Sequence, residues 1–392
     1  MKIQLMNLER QYAEKKQEFD KAVLDVLSSG KYIGGEIVNK FEKEFALHLG
    51  AYYCVSCGNG TDALVIALRA LGIGRGDEVI TVSFTFFATA ESISAVGATP
   101  VFIDVDKDTY CMDPKLIEAK INKNTKVILP VHIYGNPCEM DEIMAIAKKH
   151  GLYVIEDCAQ AANCKYKGVN VGTIGDVGCF SFFPTKIMGC AGDGGAIISN
   201  NKRISDACRS YKLHGSGLLG FEVMKEEYLR EGKTLPQDIN IGADKYHNYL
   251  IGYNSRLDAV QAALLLAKLK YLDDYIIRRR DNAKKYMALL KGSKYQIQTE
   301  KKYAQHGYYV FAVAIDNAKD IMAQLNAEGV EVHTYYPVPL HLQGVYATLG
   351  YKRGDLPITE WLSDHSFAIP VYPELKNEEL NFVVQRLLEY GK

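Results

Sequence analysis

The chain has 392 residues, 48% hydrophobic and 24% charged, with a formal net charge of −1. That length suits a large domain with a smaller one beside it, and so balanced a charge excludes an overall field that would draw in nucleic acid or an anionic membrane. The nine cysteines lack paired metal-ligand spacing, Cys54 and Cys57 having no matching second pair; no metal is expected, and buried thiols in a reducing cytosol are the better reading.

Residues 1–30 read as one amphipathic helix, with Tyr12, Phe19, Val23 and Val26 on a stripe. They hold no uninterrupted apolar h-region, and no apolar run in the chain reaches membrane-spanning length, so a cytoplasmic protein without membrane contact is expected. From Gly50 to about Asn200 short apolar runs alternate with helical segments. The predicted strands are Glu78–Val82, Val101–Val105, Lys126–Val131, Tyr153–Asp157, Gly178–Phe182 and Ala196–Ser199, and the predicted helices are Thr61–Leu71, Pro114–Ile121 and Met140–His150. Asp113 before Pro114 places a capping residue ahead of proline at the first helical position. Such alternation implies an α/β fold with a mainly parallel sheet covered by helices.

Residues 217–244 break that rhythm, being polar and charged without a strand of their own. A long helical pattern then runs from about Ser255 to Leu290. A strand (Tyr308–Ile315), a helix (Ala318–Glu328), a strand (Glu331–Tyr335) and a last helix (Asn377–Leu388) follow. The expected division is a large α/β domain over 1–254, with its N-terminal helix and an insertion at about 216–245, and a linking helix plus a small α+β domain over 255–392.

Pyridoxal 5′-phosphate makes four demands on a protein: a lysine for the Schiff base, a carboxylate for the pyridine nitrogen, a phosphate cradle and a surface for the ring. Lys186 follows the aromatic run Phe180-Ser181-Phe182-Phe183-Pro184-Thr185 and precedes a stretch ending Gly192-Asp193-Gly194-Gly195. Proline argues against helix there, and the glycines let backbone approach a ligand; the competing reading is a surface lysine after a strand. Asp157 closes the apolar run Tyr153–Glu156, where ligands sit in open α/β sheets, and Gln160, three residues on, is a cofactor-binding candidate for the ring oxygen or the aldimine region; a helix N-cap aspartate is the equal alternative for Asp157. Gly58-Asn59-Gly60-Thr61-Asp62 leads into a helix whose first amides, those of Thr61 and Asp62, favour an anion, and the Ser181 hydroxyl is a further donor. Phe86 is placed to stack on the ring, although an aromatic residue there is more often core.

Together these motifs resemble the DegT/DnrJ/EryC1/StrS family of nucleotide-sugar aminotransferases, pyridoxal-phosphate enzymes of fold type I (the aspartate aminotransferase-like fold). The resemblance runs from Gly30-Lys31-Tyr32-Ile33-Gly34-Gly35 to Pro370-Val371-Tyr372-Pro373. It is most specific at Gly60–Leu64, Glu156–Gln160, Ser181–Lys186 and Tyr253-Asn254-Ser255-Arg256-Leu257-Asp258. It implies Lys186 as Schiff-base lysine and proton shuttle, Asp157 on the pyridine nitrogen and Phe86 on the ring, with Gly60, Thr61, Asp62 and Ser181 at the phosphate. It also implies that Asn254 reaches the neighbouring subunit's phosphate, so that the active site belongs to a homodimer. Gly34, Arg256, His333, Tyr335, Tyr336 and His341 are the positions it offers for substrate contact.

The implied reaction moves an amino group from L-glutamate to a keto group of a nucleotide-linked sugar, C3 favoured, in amino-sugar and surface-glycan biosynthesis. Relatives with histidine at the position of Lys186 dehydrate a sugar instead. The rivals are a 4-keto-6-deoxy sugar, a smaller keto acceptor and, outside catalysis, a pyridoxal-phosphate-binding regulator. Two departures bear on substrate: the long 216–245 segment, and Tyr335-Tyr336-Pro337 where the family often has His-Tyr-Pro.

Overall fold

The computed structural model describes residues 2–236 and 239–391, so Gln237 and Asp238 of the insertion lie outside the described residues. The chain opens with α1 (Leu8–Glu14) and α2 (Lys16–Ser29), followed by α3 (Gly35–Leu49), β1 (Tyr53–Cys57), α4 (Gly60–Ala70), β2 (Glu78–Val82), α5 (Ala88–Ala95) and β3 (Thr99–Ile103). β4 (Thr125–Leu129), α6 (Met140–His150), β5 (Tyr153–Asp157), the short strands β6 (Lys165–Tyr166) and β7 (Val169–Asn170), β8 (Val177–Ser181) and β9 (Gly195–Ser199) complete the main sheet region. Seven strands form that sheet in the order β1-β9-β8-β5-β4-β2-β3. Only β9 runs against its neighbours; the pairs from β8 to β3 are parallel. This is the mainly parallel α/β sheet that the alternation predicts.

Beyond it come α7 (Lys202–Tyr211), α8 (Gly217–Arg230), α9 (Ala259–Leu269), α10 (Leu272–Leu289), β10 (Gln296–Ile297), β11 (Ala304–Gln305) and β12 (Phe311–Ala314). The C-terminal elements are α11 (Ala318–Ala327), α12 (Pro357–His365), β13 (Ser366–Ile369) and α13 (Asn377–Tyr390). One hydrophobic cluster surrounds the large sheet, and a second gathers Tyr286, Phe311, Ile321, Leu325, Leu380 and Val383 around the sheet β10-β12-β13. Ile3 belongs to the second cluster and bridges Val330, so the start of the chain is tied to its C-terminal part.

Several elements differ from expectation for identifiable reasons. The first helix is broken at Lys15, whose φ −126° is not helical, and Tyr12 is 43% exposed, off the buried stripe. Residues 114–121 form two 3₁₀ turns, Pro114–Leu116 and Glu118–Lys120. Their only buried anchors, Pro114 and Ile117, are three apart, which is the 3₁₀ repeat. The Asp113 side chain still caps, accepting from the Lys115 amide at 3.1 Å. The 255–290 helix divides at Lys270-Tyr271. Residues 331–335 form no strand: only His333 bridges, to Ala368, and the Tyr335 carbonyl accepts instead from the Tyr134 hydroxyl. The insertion holds a helix, α8, with Val223 and Met224 buried and Glu227 accepting from the Tyr211 hydroxyl at 2.6 Å.

Candidate active site

Alternation along β8 puts Phe180 and Phe182 on one face and Cys179 and Ser181 on the other. Phe182 wedges edge-on between Phe41 and Phe45 of α3, at centroid distances of 5.5 and 5.3 Å, and Phe180 meets Phe45 at 5.4 Å. Each of the two is fully buried, worth roughly 1.5–3 kcal/mol, and together they fix where the chain leaves the sheet. Beyond that exit the Lys186 amide donates to the Phe183 carbonyl at 2.9 Å, closing a turn. The far side of the turn is held by a buried lysine: Lys268 Nζ donates to the Gly189 carbonyl at 2.6 Å and to Gln11 Oε1 at 2.8 Å. Burial pushes the Lys268 amine down to about 8. Lys186 itself is half-buried, its Nζ 4.5 Å from the centroid of the Tyr309 ring.

β5 is the parallel neighbour of β8, with Asp157 opposite Cys179, so Asp157 arrives at the same carboxyl edge. Its Oδ1 accepts from the Ala159 amide at 3.1 Å and its Oδ2 from the Thr89 hydroxyl at 2.8 Å. Burial pushes this carboxyl up; the Ala159 and Thr89 donors, Lys186 and His132 pull the other way without cancelling it. Asp157 has no ion-pair partner within 4 Å among the described residues. A protonated pyridine nitrogen is the kind of cationic donor such a buried carboxylate lacks. Next to it His132, Glu156 and Cys158 bring ligand-type atoms within 4.8 Å of one another. The Glu156 oxygens are already taken by His132 Nε2 and the Gly172, Ile174 and Gly175 amides, at 2.7–3.0 Å, making it a structural node.

The candidate phosphate cradle is built from two sides. A Cβ on Gly60 would lie 2.7 Å from Ser181 Cβ, so only glycine lets the start of α4 close on β8. Asn59 caps α4, but it does so on the Asp62 amide at 2.8 Å, which leaves Thr61 rather than Asp62 with an amide to offer an anion. The Asp62 carboxylate instead accepts from the Ser255 hydroxyl at 2.6 Å, and Ser255 Oγ accepts from the Gly58 amide at 2.9 Å. The end of β1 is anchored through buried Glu42, which accepts from the Ser56 amide at 2.8 Å and pairs with Lys212 at 3.3 Å and Arg209 at 2.7 Å. Burial pushes the Glu42 carboxyl up, but the two cations outweigh this and hold it below its ordinary value.

Phe86 is 57% exposed, which a core role does not explain, and its ring lies 6.0 Å from that of Tyr336. Gln160 is buried: Oε1 accepts from the Tyr134 amide at 2.8 Å and Nε2 donates to the Tyr336 hydroxyl at 2.9 Å. It therefore holds Tyr336 facing Phe86. The exposed phenyl, the donor-rich turn and the unpaired buried carboxylate fit the ring, phosphate and nitrogen of pyridoxal phosphate.

The expected substrate residues divide. Tyr336 joins the site, and Tyr335 borders it through its carbonyl on Tyr134. His333 is exposed and paired with Glu331 at 3.0 Å. His341 is a correction: it is 1% exposed, with Nδ1 on Ser83 at 2.7 Å and Nε2 on Glu360 at 3.1 Å, so neither nitrogen is left for a substrate. It braces the Ser83–Phe87 loop that carries Phe86. Asn254 and Arg256 are exposed on the chain's surface. Gly34 lines a cleft of about 1140 Å³ between α2, α3 and α9 that none of the cofactor candidates line. Sequence reasoning missed Thr89, Tyr134, Lys268 and Tyr309. Thr89 sits three residues after Phe86 in the sequence; the others carry no local signal.

A DegT/DnrJ/EryC1/StrS aminotransferase family model matches residues 13–388. A "pleiotropic regulatory protein" of Geobacillus stearothermophilus is 40% identical, covering 100% of this chain and 99% of its own length. A UDP-N-acetyl-3-dehydro-alpha-D-glucosamine 3-aminotransferase of Acidithiobacillus ferrooxidans is 38% identical over 96% of this chain and 95% of its own. The crystal structure of S. venezuelae DesV in complex with a ketimine intermediate superposes with a TM-score of 0.91 at 34% identity, covering 100% of this chain and 99% of that one. A match of that extent makes this chain a pyridoxal-phosphate-dependent member of the DegT/DnrJ/EryC1/StrS aminotransferase family.

Proposed function

We propose that this aminotransferase moves the amino group of L-glutamate to the C3 keto group of a nucleotide-linked sugar, in amino-sugar and surface-glycan synthesis. The observation that carries the chemistry is the meeting of Lys186 and Asp157 at the carboxyl edge of neighbouring strands β8 and β5. The sugar and its C3 position are supported by the Acidithiobacillus relative's named activity.

Pyridoxal phosphate, when bound, supplies a carbonyl that takes up the amine and a ring that accepts electrons. Asp157 would hold the ring nitrogen protonated, Phe86 would offer its face to the ring, and Gly60, Thr61 and Ser181 would hold the phosphate. Asp62 acts through Ser255, fixing the cradle rather than donating to it. Lys186 Nζ takes the proton from the donor's α-carbon as general base and later returns one as general acid. Gln160 holds the Tyr336 ring in place through its hydroxyl.

The chain works as a symmetric homodimer, Asn254 completing the phosphate site of the neighbouring subunit. This reading is supported by the exposed Asn254 side chain and by Leu24, Leu27, Ile33 and Leu47, each 46–71% exposed around α2 and α3. A cytoplasmic setting is supported by nine buried cysteines, all unpaired; no described helix is long and apolar enough to cross a membrane. The Geobacillus relative's name raises a regulatory reading, but the family model that spans residues 13–388 is an aminotransferase one, and the chain's balanced charge offers no field for nucleic acid.

The test runs the reaction backwards, with 3-amino and 4-amino nucleotide sugars and 2-oxoglutarate. Glutamate released from the 3-amino sugar supports the reading. Release from a 4-amino sugar alone overturns the regiochemistry, and no release from any nucleotide sugar points to a smaller acceptor.

A further inference from the structure

Lys186 is not a free-swinging side chain. Its Nζ rests over the face of the Tyr309 ring, 4.5 Å from the centroid, and the other end of that ring is tied to the neighbouring residue, the Tyr309 hydroxyl lying 3.4 Å from Thr185 Oγ1. The backbone of Tyr309 is clamped as well. Its amide donates to the Tyr134 carbonyl at 2.8 Å, and its carbonyl accepts from Arg279 Nη1 at 3.3 Å. Arg279 is 1% exposed and also holds the Tyr308 carbonyl at 3.1 Å, so a buried guanidinium fixes both tyrosines from behind. A ring held at both ends presents one face to the amine and keeps it there.

We propose that Tyr309 is a further catalytic residue, whose ring face holds the Lys186 amine as the ammonium while the lysine is free, keeping the proton at Nζ until it is returned. The proposal rests on the reading of Lys186 as the proton shuttle. In the first transfer the donor's Cα–H bond breaks, its electron pair stays on the substrate side, and an N–H bond forms at Nζ. In the return the N–H bond breaks and a C–H bond forms. The negative face of an aromatic ring attracts a cation and not a neutral amine, so it favours the state between those two events.

The groups facing this amine are Asp157 from the end of β5, Tyr309 itself and, beyond it, Tyr336 and Arg279. Burial pushes the Tyr309 phenol up, yet the Lys186 ammonium, the Thr185 hydroxyl and Arg279 together bring it below its ordinary value.

The test reads the amine directly. Wild type and variants are first loaded with pyridoxal phosphate, and borohydride must trap it on Lys186; a wild type that traps none sinks the shuttle reading itself. Protein reconstituted with pyridoxamine phosphate then has its Lys186 amine titrated by trace acetic anhydride labelling, read by mass spectrometry. Tyr309→Leu is expected to titrate about one pH unit below wild type, a tenfold change equal to about 1.4 kcal/mol. Tyr309→Phe, which keeps the face, should stay within about 0.3 unit of wild type. Tyr309→pentafluorophenylalanine keeps the shape but not the negative face, and should follow the leucine variant even if that variant folds poorly. A titration unmoved by loss of the face, or a phenylalanine shift as large as the leucine one, overturns the proposal.

Discussion

Thr89 gives its hydroxyl hydrogen to Asp157: Thr89 Oγ1 lies 2.8 Å from Asp157 Oδ2, with Thr85 Oγ1 3.0 Å behind it. All three residues are buried. A donor on a buried carboxylate favours its charged form, and the charged form is what a protonated pyridine nitrogen needs. Thr89→Val keeps the shape and removes the donor. Hydrogen bonds to charged groups are worth about 1.5–3 kcal/mol, so pyridoxal phosphate affinity should fall at least tenfold in an absorbance titration. An unchanged affinity would show that Ala159 alone suffices.

Asp157→Asn should separate stability from function. The folded-state carboxyl is raised above its unfolded value by burial. Its contribution is therefore present below the unfolded value and lost as pH rises through the folded one. Once ionised, the cofactor-free wild type carries a buried charge whose partners do not offset its burial. The asparagine variant, still able to accept from the Ala159 amide, is expected to melt higher without cofactor, by a margin that closes toward acid pH. Adding pyridoxal phosphate should raise the melting temperature of wild type more than that of the variant. A cofactor-free variant that melts below wild type at pH 7 would be the contrary result.

Lys268 makes a prediction of the opposite sign. Its amine is held at about 8 by burial, against 10.5 for the free side chain. The unfolded chain therefore binds more protons between those values, and this group's contribution to stability rises with pH across that window. Measured by denaturation, wild type should gain on Lys268→Met between pH 8 and 10.5 by up to roughly 3 kcal/mol. At pH 7 the variant should also loosen the Lys186 turn, because the Gly189 carbonyl loses its donor. Stability curves that run parallel across the window would rule the depressed amine out.

Gly60→Ala tests the cradle. The backbone there is not left-handed, so alanine suits the helix start, but its Cβ would sit 2.7 Å from Ser181 Cβ. Overpacking of this kind costs about 1–3 kcal/mol, and the opened cradle should lower cofactor affinity at least as much as it lowers the melting point. Ser181→Gly in the same chain removes the opposing carbon and should restore the melting temperature without restoring affinity. A double variant that stays as unstable as Gly60→Ala would place the strain elsewhere.

The candidate cofactor residues were legible in the sequence because each lies where a periodic element ends. Asp157 closes an apolar strand, Lys186 follows an aromatic one, and Gly60 opens a helix, and a parallel sheet brings such ends to one edge. The helix–strand alternation gave the sheet for the same reason. What the pattern missed were marginal elements: 331–335 yielded a carbonyl to Tyr134 instead of to a ladder, and 114–121 had too few anchors for an α-helix. Contacts between distant segments left no local mark at all. Nothing near residue 309 announces that Arg279 will clamp it over Lys186, and nothing near residue 268 announces that its amine will be buried under the Gly189 carbonyl. Nor does the sequence around His341 show that Ser83 and Glu360 will consume both its nitrogens. Periodicity and motif record what a residue's own element requires. Protonation, donor count and which face of a ring a lysine meets depend on neighbours that only the packed chain brings together.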